Sequence, residues 1–528
     1  MTGLMILLVV LSNAAGDVFL TKGMKQVGDV SAISPVQLAA TIRRIVCNAN
    51  FILGVACLAV SFFSFLAVLS WANLSFVVPA TAVVYVVTVL GAKIFLDEKV
   101  DRLRWGGTLL ICFGVALVCL PDTISISLPA IFGAARLFFG TLTIASVGYY
   151  CTSVLAAERF FSKKPGKPPT PSTSLAPSRP PVSLLVPLCG ADFRGYQNYA
   201  SLCLQDYPQF EIIFGVAEPG DSSVPVVEKL RADFPHVAIQ LVVCEEAIGP
   251  NPKVNSLHNM LSRASHETIL MLDSDIRVER DFIGKICEEL AGGGAGLVTC
   301  LYRAGEAPGL PSMLEAVAIS SEFAPGVLVA QMGGGISFAF GACIALTKKT
   351  LELIGGFPAI APYLADDYML GNLVYKAGLP VKLSKYVVET VLSRLTAGAF
   401  LKHQLRWARG IRACAPWGHA GSVMTNGTAL SFLYFASCGF SRSGLIVFAA
   451  VVAVRLWMAW MVGVRRLGDQ ILRHNLLLVP ARDFLSFFIW SGAFVGRRVQ
   501  WRDKVFGLQR DGKIIPLGAA GFKARINP

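Results

Sequence analysis

Long apolar runs occupy both ends of this 528-residue chain, while its middle alternates shorter apolar stretches with polar ones. A membrane-crossing helix needs about 20 apolar residues. Five candidates precede residue 160, at roughly 4–20, 49–71, 75–96, 105–121 and 128–156. The first lacks a basic leader and a cleavage signature and is followed by further spans, so it reads as a helix and not a signal peptide. Apolar segments resume at about 425–440 and 443–463, split by "FSRSG". A third, about 475–495, is interrupted by Pro480, Arg482 and Asp483, and a re-entrant or interfacial helix fits it as well as a full span.

Between the apolar ends the texture changes. Residues 163–181, "KKPGKPPTPSTSLAPSRPP", form a Pro/Ser-rich linker expected to be extended and semi-stiff. After it, "VSLLVPL", "FEIIFGVA", "VAIQLVVCE" and "TILMLDSDI" read as buried strands, with helical patterns at 226–233 and 253–264 between them. That alternation predicts a mostly parallel, doubly wound α/β domain ending near residue 420. The fold class expected is therefore membrane α-helical plus Rossmann-like α/β. The boundaries expected are 1–121 for four membrane helices, 128–160 for an anchor helix, 161–181 for the linker, 182–420 for the α/β domain, 421–500 for C-terminal membrane helices and 501–528 for a tail.

Basic residues orient the spans. Lys22, Lys25, Arg43 and Arg44 follow the first; Lys93, Lys99, Arg102 and Arg104 separate the third and fourth; Lys163, Lys164 and Lys167 follow the fifth. The loops near 72–74 and 121–127 carry no Lys or Arg. Placing the basic loops inside puts the N-terminus outside and the α/β domain in the cytosol.

Composition agrees with a membrane setting. The chain is 54% hydrophobic and 15% charged, with a mean hydropathy of +0.59, against about 25% charged residues in soluble domains. The formal charge of +13 resides on loops flanking apolar segments, so membrane topology explains it and a nucleic-acid partner is not expected. The thirteen cysteines show no zinc-like spacing and read as mostly free thiols.

Chemistry concentrates in three places. The strand "TILML" delivers Asp273 and Asp275 to the carboxyl edge of the sheet, where ligands bind in open parallel sheets. Two carboxylates there suit a divalent cation bridging to a diphosphate, although a solvated acidic turn has the same sequence. "YLADDYMLG" places Asp366 and Asp367 before a helical run, as a helix cap or as a general base. "HQLRWARGIR" combines His403, Arg406, Trp407, Arg409 and Arg412, either an amphipathic helix on anionic lipid or a phosphate clamp with an aromatic wall.

In this order the motifs resemble the D, DxD, (E/D)D, (Q/R)xxRW series of processive and lipid-directed inverting glycosyltransferases. The closest likeness is to the ceramide glucosyltransferase family and the hopanoid-biosynthesis glycosyltransferases, supported by "SLLVPLCGADFRGYQNYASLCLQDYPQFEIIFGVAEPGDSS", "GPNPKVNSLHNML" and "DSDIRV" across roughly 180–500. The resemblance implies a cytosolic GT-A domain, a UDP-sugar donor, a divalent metal (Mg or Mn) and a membrane-lipid acceptor. It implies that Glu218 and Asp221 contact uridine, that Pro187 lines the base pocket, and that Lys253 and Asn255 face the nucleotide. Asp273 and Asp275 would hold sugar, ribose and a metal-bound diphosphate. Asp367, beside Asp366, would deprotonate the acceptor. Arg406, Trp407, Arg409 and His403 would hold the leaving UDP and the acceptor mouth. Two positions depart from the pattern: Glu218 stands where Asp is usual, and His403 opens the (Q/R)xxRW slot with Gln404 beside it.

Residues 1–121 resemble the four-helix small multidrug resistance and drug/metabolite transporter families in "NAAGDVFLTKGMKQVG", "VVPATAVVYVVTVLGAKIFLDEKV" and "RWGGTLLICFGVALV". The acid those exporters use for proton coupling falls at Asn13, with Asp17 the nearest carboxylate, so a scaffold, homo-oligomerisation or lipid-handling role is expected there.

The function expected is an inverting, multi-pass membrane hexosyltransferase, in a bacterial inner membrane, giving a β-glycoside of a ceramide- or hopanoid-type lipid. Alternatives are a transporter with a degenerate cytosolic domain and a processive polysaccharide synthase, the latter disfavoured by only two or three spans after residue 420.

Overall fold

A computed structural model describes residues 2–27, 44–96, 105–108, 111–112, 114–115, 128–162, 179–292, 294–501 and 504–517. Most of the expected span 105–121 and of the linker 161–181 lies outside these residues. The chain divides into two compact units, Met1–Ala130 and Ile131–Pro528.

In the first unit, helices Thr2–Val27 and Ala49–Leu69 pack closely, and a Cβ added to Gly16 or Gly54 would fall 2.8 Å from a leucine side chain of the other helix. Asn48 caps the second helix by accepting from the Phe51 N–H. The Asp17 carboxylate accepts from Thr88, of helix Val83–Phe95, at 3.4 Å.

The second unit begins with a long apolar helix to Ser162, then enters an eight-stranded mixed sheet. Its strands are β1 (Val182–Pro187), β2 (Phe210–Val216), β3 (Ala238–Val243), β4 (Thr268–Met271), β5 (Ile276–Arg277), β6 (Leu297–Glu306), β7 (Ile344–Thr347) and β8 (Val381–Val391), in the spatial order β3-β2-β1-β4-β7-β6-β8-β5. β1 pairs in parallel with β2 and β4, and β2 with β3. These strands are mostly apolar, as expected of a sheet covered by helices, and their polar members Ser183 and Gln240 donate to the buried Glu211 of β2. Beyond β4 the predicted parallel order changes: β7 is antiparallel to both β4 and β6. The chain between β6 and β7 makes a helical excursion, Leu310–Met332 including a π-turn at Ile319–Phe323, instead of a right-handed crossover.

Among the described residues, seven helices are long and apolar enough to cross a membrane. They include the expected segments Arg442–Arg466 and Leu476–Ala493, and also Leu310–Met332, most of which is covered by protein. Pro480, Arg482 and Asp483 interrupt the last segment in sequence but not in structure. Pro480 stands in the first turn of the helix Val479–Ala493, where its missing N–H costs no hydrogen bond. Arg482 and Asp483 point inward, 4% and 2% exposed. Asp483 takes two hydrogen bonds from Arg455, at 2.8 and 3.1 Å, and another from Thr428.

Residues 498–501 and 504–516, expected at the end of a membrane segment and in a tail, form an antiparallel three-stranded sheet: β9 (Arg498–Trp501), β10 (Lys504–Leu508) and β11 (Ile514–Pro516). Val499, Phe506, Leu508 and Ile514 form its own small core, against Leu364 and Ala413.

Candidate active site

The carboxyl ends of β1, β2 and β4 open onto one edge. After β1, Pro187 leads into a loop held open by Gly190, whose φ of +79° suits a residue without a side chain. The Gly190 N–H donates to both carboxylate oxygens of Asp221, at 3.0 and 2.9 Å, and the Ser223 N–H and hydroxyl donate to Asp221 Oδ1. Burial pushes the Asp221 carboxyl up, but these donors outweigh it and hold it below the usual range. Asp221 thus braces the loop after β1, while Glu218 is exposed beside it.

"NPK" is a compact local device. Asn251 caps the helix Pro252–Leu261, its Oδ1 accepting from the N–H groups of Lys253 and Val254, and Pro252 takes the first helical position. The cap's Nδ2 donates to Asp366 Oδ1 at 3.1 Å and to the Tyr363 carbonyl at 2.9 Å. The motif therefore presents Lys253 and ties it to the loop carrying the acid pair. Asn255, expected at the nucleotide, instead closes the preceding loop: it accepts from the Ile248 and Gly249 N–H groups and donates to the Gly249 carbonyl.

Asp273 and Lys253 meet at 2.5 Å, and Lys253 Nζ is 4.0 Å from Asp366 Oδ2. Burial alone would lower Lys253, yet Asp273, Asp366 and Asp367 outweigh it and keep the ammonium charged. Asp366 and Asp367 begin the helix Asp366–Lys376, where negative charge suits the positive end of the helix dipole. Asp367 Oδ1 accepts from the Tyr368 N–H at 2.7 Å and Oδ2 from the Gly341 N–H at 2.8 Å. Burial first, then the neighbouring Asp366, raises Asp367 to about 6. Asp275 Oδ2 accepts from Thr390 at 2.9 Å; burial and then Asp273 push this carboxyl to about 7.

Two participants carry no sequence signal. Gly341 is the floor where Lys253, Asp273 and Asp367 converge: an added Cβ would lie 2.8 Å from Lys253 Nζ and 2.9 Å from Asp273 Oδ2. Asp192 accepts from Tyr199 at 3.1 Å, and burial with the nearby charges of Asp273 and Asp221 raises its carboxyl.

The helix Ala397–Cys414 starts at the cap Thr396 and spaces His403, Arg406 and Trp407 for one face. Burial draws Arg406 down from its usual value, opposed by Glu315, Asp366, Asp273 and Asp367; its guanidinium lies 5.3 Å from the Trp501 ring centre. His403 pairs with Glu315. Arg409, expected on the donor, is turned to the C-terminal segment, donating to the carbonyls of Arg498 at 2.7 Å and Val495 at 2.9 Å. The three-stranded sheet completes the edge: the Leu364 N–H donates to the Gly512 carbonyl, and the Ile514 N–H donates to the Pro362 carbonyl at 2.8 Å.

With this arrangement described, comparison with known sequences is decisive. Residues 139–514 match Glycosyl transferase family 21. The chain belongs to that family. It is a UDP-sugar-dependent hexosyltransferase of the membrane, and the parallel half-sheet with its antiparallel extension is the GT-A fold expected of it. Similar curated proteins include ceramide glucosyltransferase 3 of Caenorhabditis elegans, 24% identical over 64% of this chain and 75% of the relative, and ceramide glucosyltransferase 1 of the same organism, 25% identical over 64% and 74%. Among solved structures, a mannosyltransferase of Pyrobaculum calidifontis in complex with GDP-Man and Mn2+ aligns with 68% of this hexosyltransferase and 96% of its own chain, at 19% identity and a TM-score of 0.43.

Proposed function

We propose that this glycosyltransferase moves a hexose, glucose or N-acetylglucosamine, from a UDP-sugar to a hydroxyl of a membrane lipid of ceramide or hopanoid type, with inversion. The observation carrying this reading is the convergence of Asp273, Lys253 and Asp367 at Gly341, one helix away from the apolar C-terminal segments. The donor lies along the edge formed by Pro187, Asp221, Lys253 and Asp273, and Asp367 faces it as the general base.

An alcohol is a poor nucleophile at neutral pH, so a carboxylate must take its proton as the C–O bond forms. Asp367 suits that task because its raised pKa strengthens it as a base while leaving it ionised near pH 7. Asp366 is engaged by Asn251 and Lys253 and positions its neighbour. Arg406 supplies fixed positive charge for the departing diphosphate, and Trp407 walls the acceptor side. One base and a direct displacement turn an α-linked donor into a β-glycoside.

Asp273 and Asp275 fit a divalent cation. They are hard oxygen donors one residue apart just after β4, and the charge of Asp273 acts on Asp275. Among the described residues no third His, Cys, Asp or Glu joins them, as suits Mg2+ or Mn2+ completed by water and substrate phosphate. When bound, the cation neutralises charge on the diphosphate.

In the orientation read from the basic loops, the catalytic domain is cytosolic in a bacterial inner membrane, and the first unit is a scaffold or oligomerisation module. Nanodisc-embedded protein given labelled UDP-glucose or UDP-N-acetylglucosamine, with ceramide or a hopanoid polyol, should yield a single β-glycosyl lipid. Long polymer, an α-linkage, or no lipid product with any donor would refute the reading.

A further inference from the structure

His403 is held on two sides. Its Nδ1 lies 3.3 Å from Oε2 of Glu315, a carboxylate only 2% exposed on the helix Leu310–Ala318. Its ring leans on Trp407, one turn further along, with centroids 4.5 Å apart and planes at 56°. A carboxylate oxygen facing Nδ1 favours the tautomer with the ring proton there, which leaves Nε2 as the nitrogen with a lone pair to offer. Nε2 has no partner among the described residues, and the side chain is 27% exposed. The pair borders the catalytic cluster, since Glu315 leads the charges acting on Arg406, ahead of Asp366, Asp273 and Asp367.

An outward lone pair is the wrong chemistry for a diphosphate, whose oxygens are themselves acceptors. It is right for an O–H or N–H. We propose that His403, with its tautomer set by Glu315, accepts a hydrogen bond from a donor group beside the reacting hydroxyl of the acceptor lipid, while the exposed side of Trp407 takes the adjoining apolar surface. The class of acceptor this selects is a lipid alcohol with a neighbouring N–H or second O–H. The inference rests on the lipid-acceptor reading above and moves His403 from the sugar-nucleotide side of the site to the lipid side.

The test uses full-length protein in nanodiscs with a short-chain ceramide, its N-methyl amide and its 3-deoxy analogue, and the sugar nucleotide that the wild type turns over. His403→Phe should raise the KM for ceramide about tenfold, the worth of one well-made hydrogen bond. The KM for sugar nucleotide and the affinity for UDP should not move. His403→Gln, which keeps an acceptor oxygen, should recover most of the loss. On whichever analogue lacks the recognised donor, wild type and His403→Phe should give equal kcat/KM. A rise in sugar-nucleotide KM instead, or an equal loss on all three lipids, overturns the inference while leaving lipid transfer standing. A wild type that glycosylates no lipid overturns the acceptor reading and this inference with it.

Discussion

The Gly341 N–H donates to Asp367 Oδ2 at 2.8 Å, so the residue beneath the Lys253–Asp273 pair also aims the proposed base. A methyl group at this position would fall 2.8 Å from Lys253 Nζ and 2.9 Å from Asp273 Oδ2, closer than real contacts allow. Gly341→Ala should separate Lys253 from Asp273 and lower kcat/KM by about 100-fold, the loss that a misplacement of about 1 Å can cause in an active site. Steady-state kinetics checks this, with a melting curve to show that the fold persists.

Asp367→Asn should lower turnover by roughly 10²–10⁴-fold, the range for removing a general base, while UDP-sugar binding, measured by calorimetry, stays within about twofold. The pH profile gives an independent check. Only the ionised form can take a proton, and its pKa is raised to about 6. The wild-type kcat/KM should therefore fall as pH drops through about 6, where an ordinary carboxylate would hold activity to nearly pH 4. A profile flat down to pH 4.5 would exclude Asp367 as the base.

Chelation should abolish transfer, and adding back Mg2+ or Mn2+ should restore it. Asp275→Asn should weaken the metal requirement's apparent affinity at least tenfold, read from activity against free metal concentration and from metal-dependent UDP binding.

These motifs were legible in one sequence because each bundles acids or bases at fixed spacing. The strand pattern likewise announced a doubly wound half-sheet, since strands covered by helices are mostly apolar. Other features had no such mark. Gly341 acts through the absence of a side chain and looks like any other glycine in "FAFGACIAL". The reversal of β7 depends on the Leu310–Met332 excursion, whose Glu315 and Glu322 obscure its length as an apolar helix. The three-stranded sheet did leave a signal, an Asp511-Gly512 turn between short apolar runs, with Gly512 at φ +88°.

Trp501→Ala should slow turnover about tenfold, because a half-buried cation–π contact with Arg406, at 5.3 Å, contributes roughly 1–2 kcal/mol. Trp501→Phe should keep most of the rate, and the KM for lipid should change less than kcat.

The buried pair Arg455–Asp483 is predicted to behave asymmetrically. Arg455→Met leaves Asp483 without its cation at 2% exposure and should cost about 3–5 kcal/mol. Arg455→Met combined with Asp483→Leu should regain much of it, as read from thermal melting in detergent.

The loop 362–364, just ahead of Asp366 and Asp367, finds its backbone partners in Gly512 and Ile514, residues that the ribosome adds only after both apolar helices Arg442–Arg466 and Leu476–Ala493. Order of synthesis therefore becomes order of arming. While those helices are being inserted, the nascent chain carries every carboxylate of the site but not the strands that brace the base, so a product stopped before residue 498 would sit in the bilayer unable to glycosylate the lipids around it.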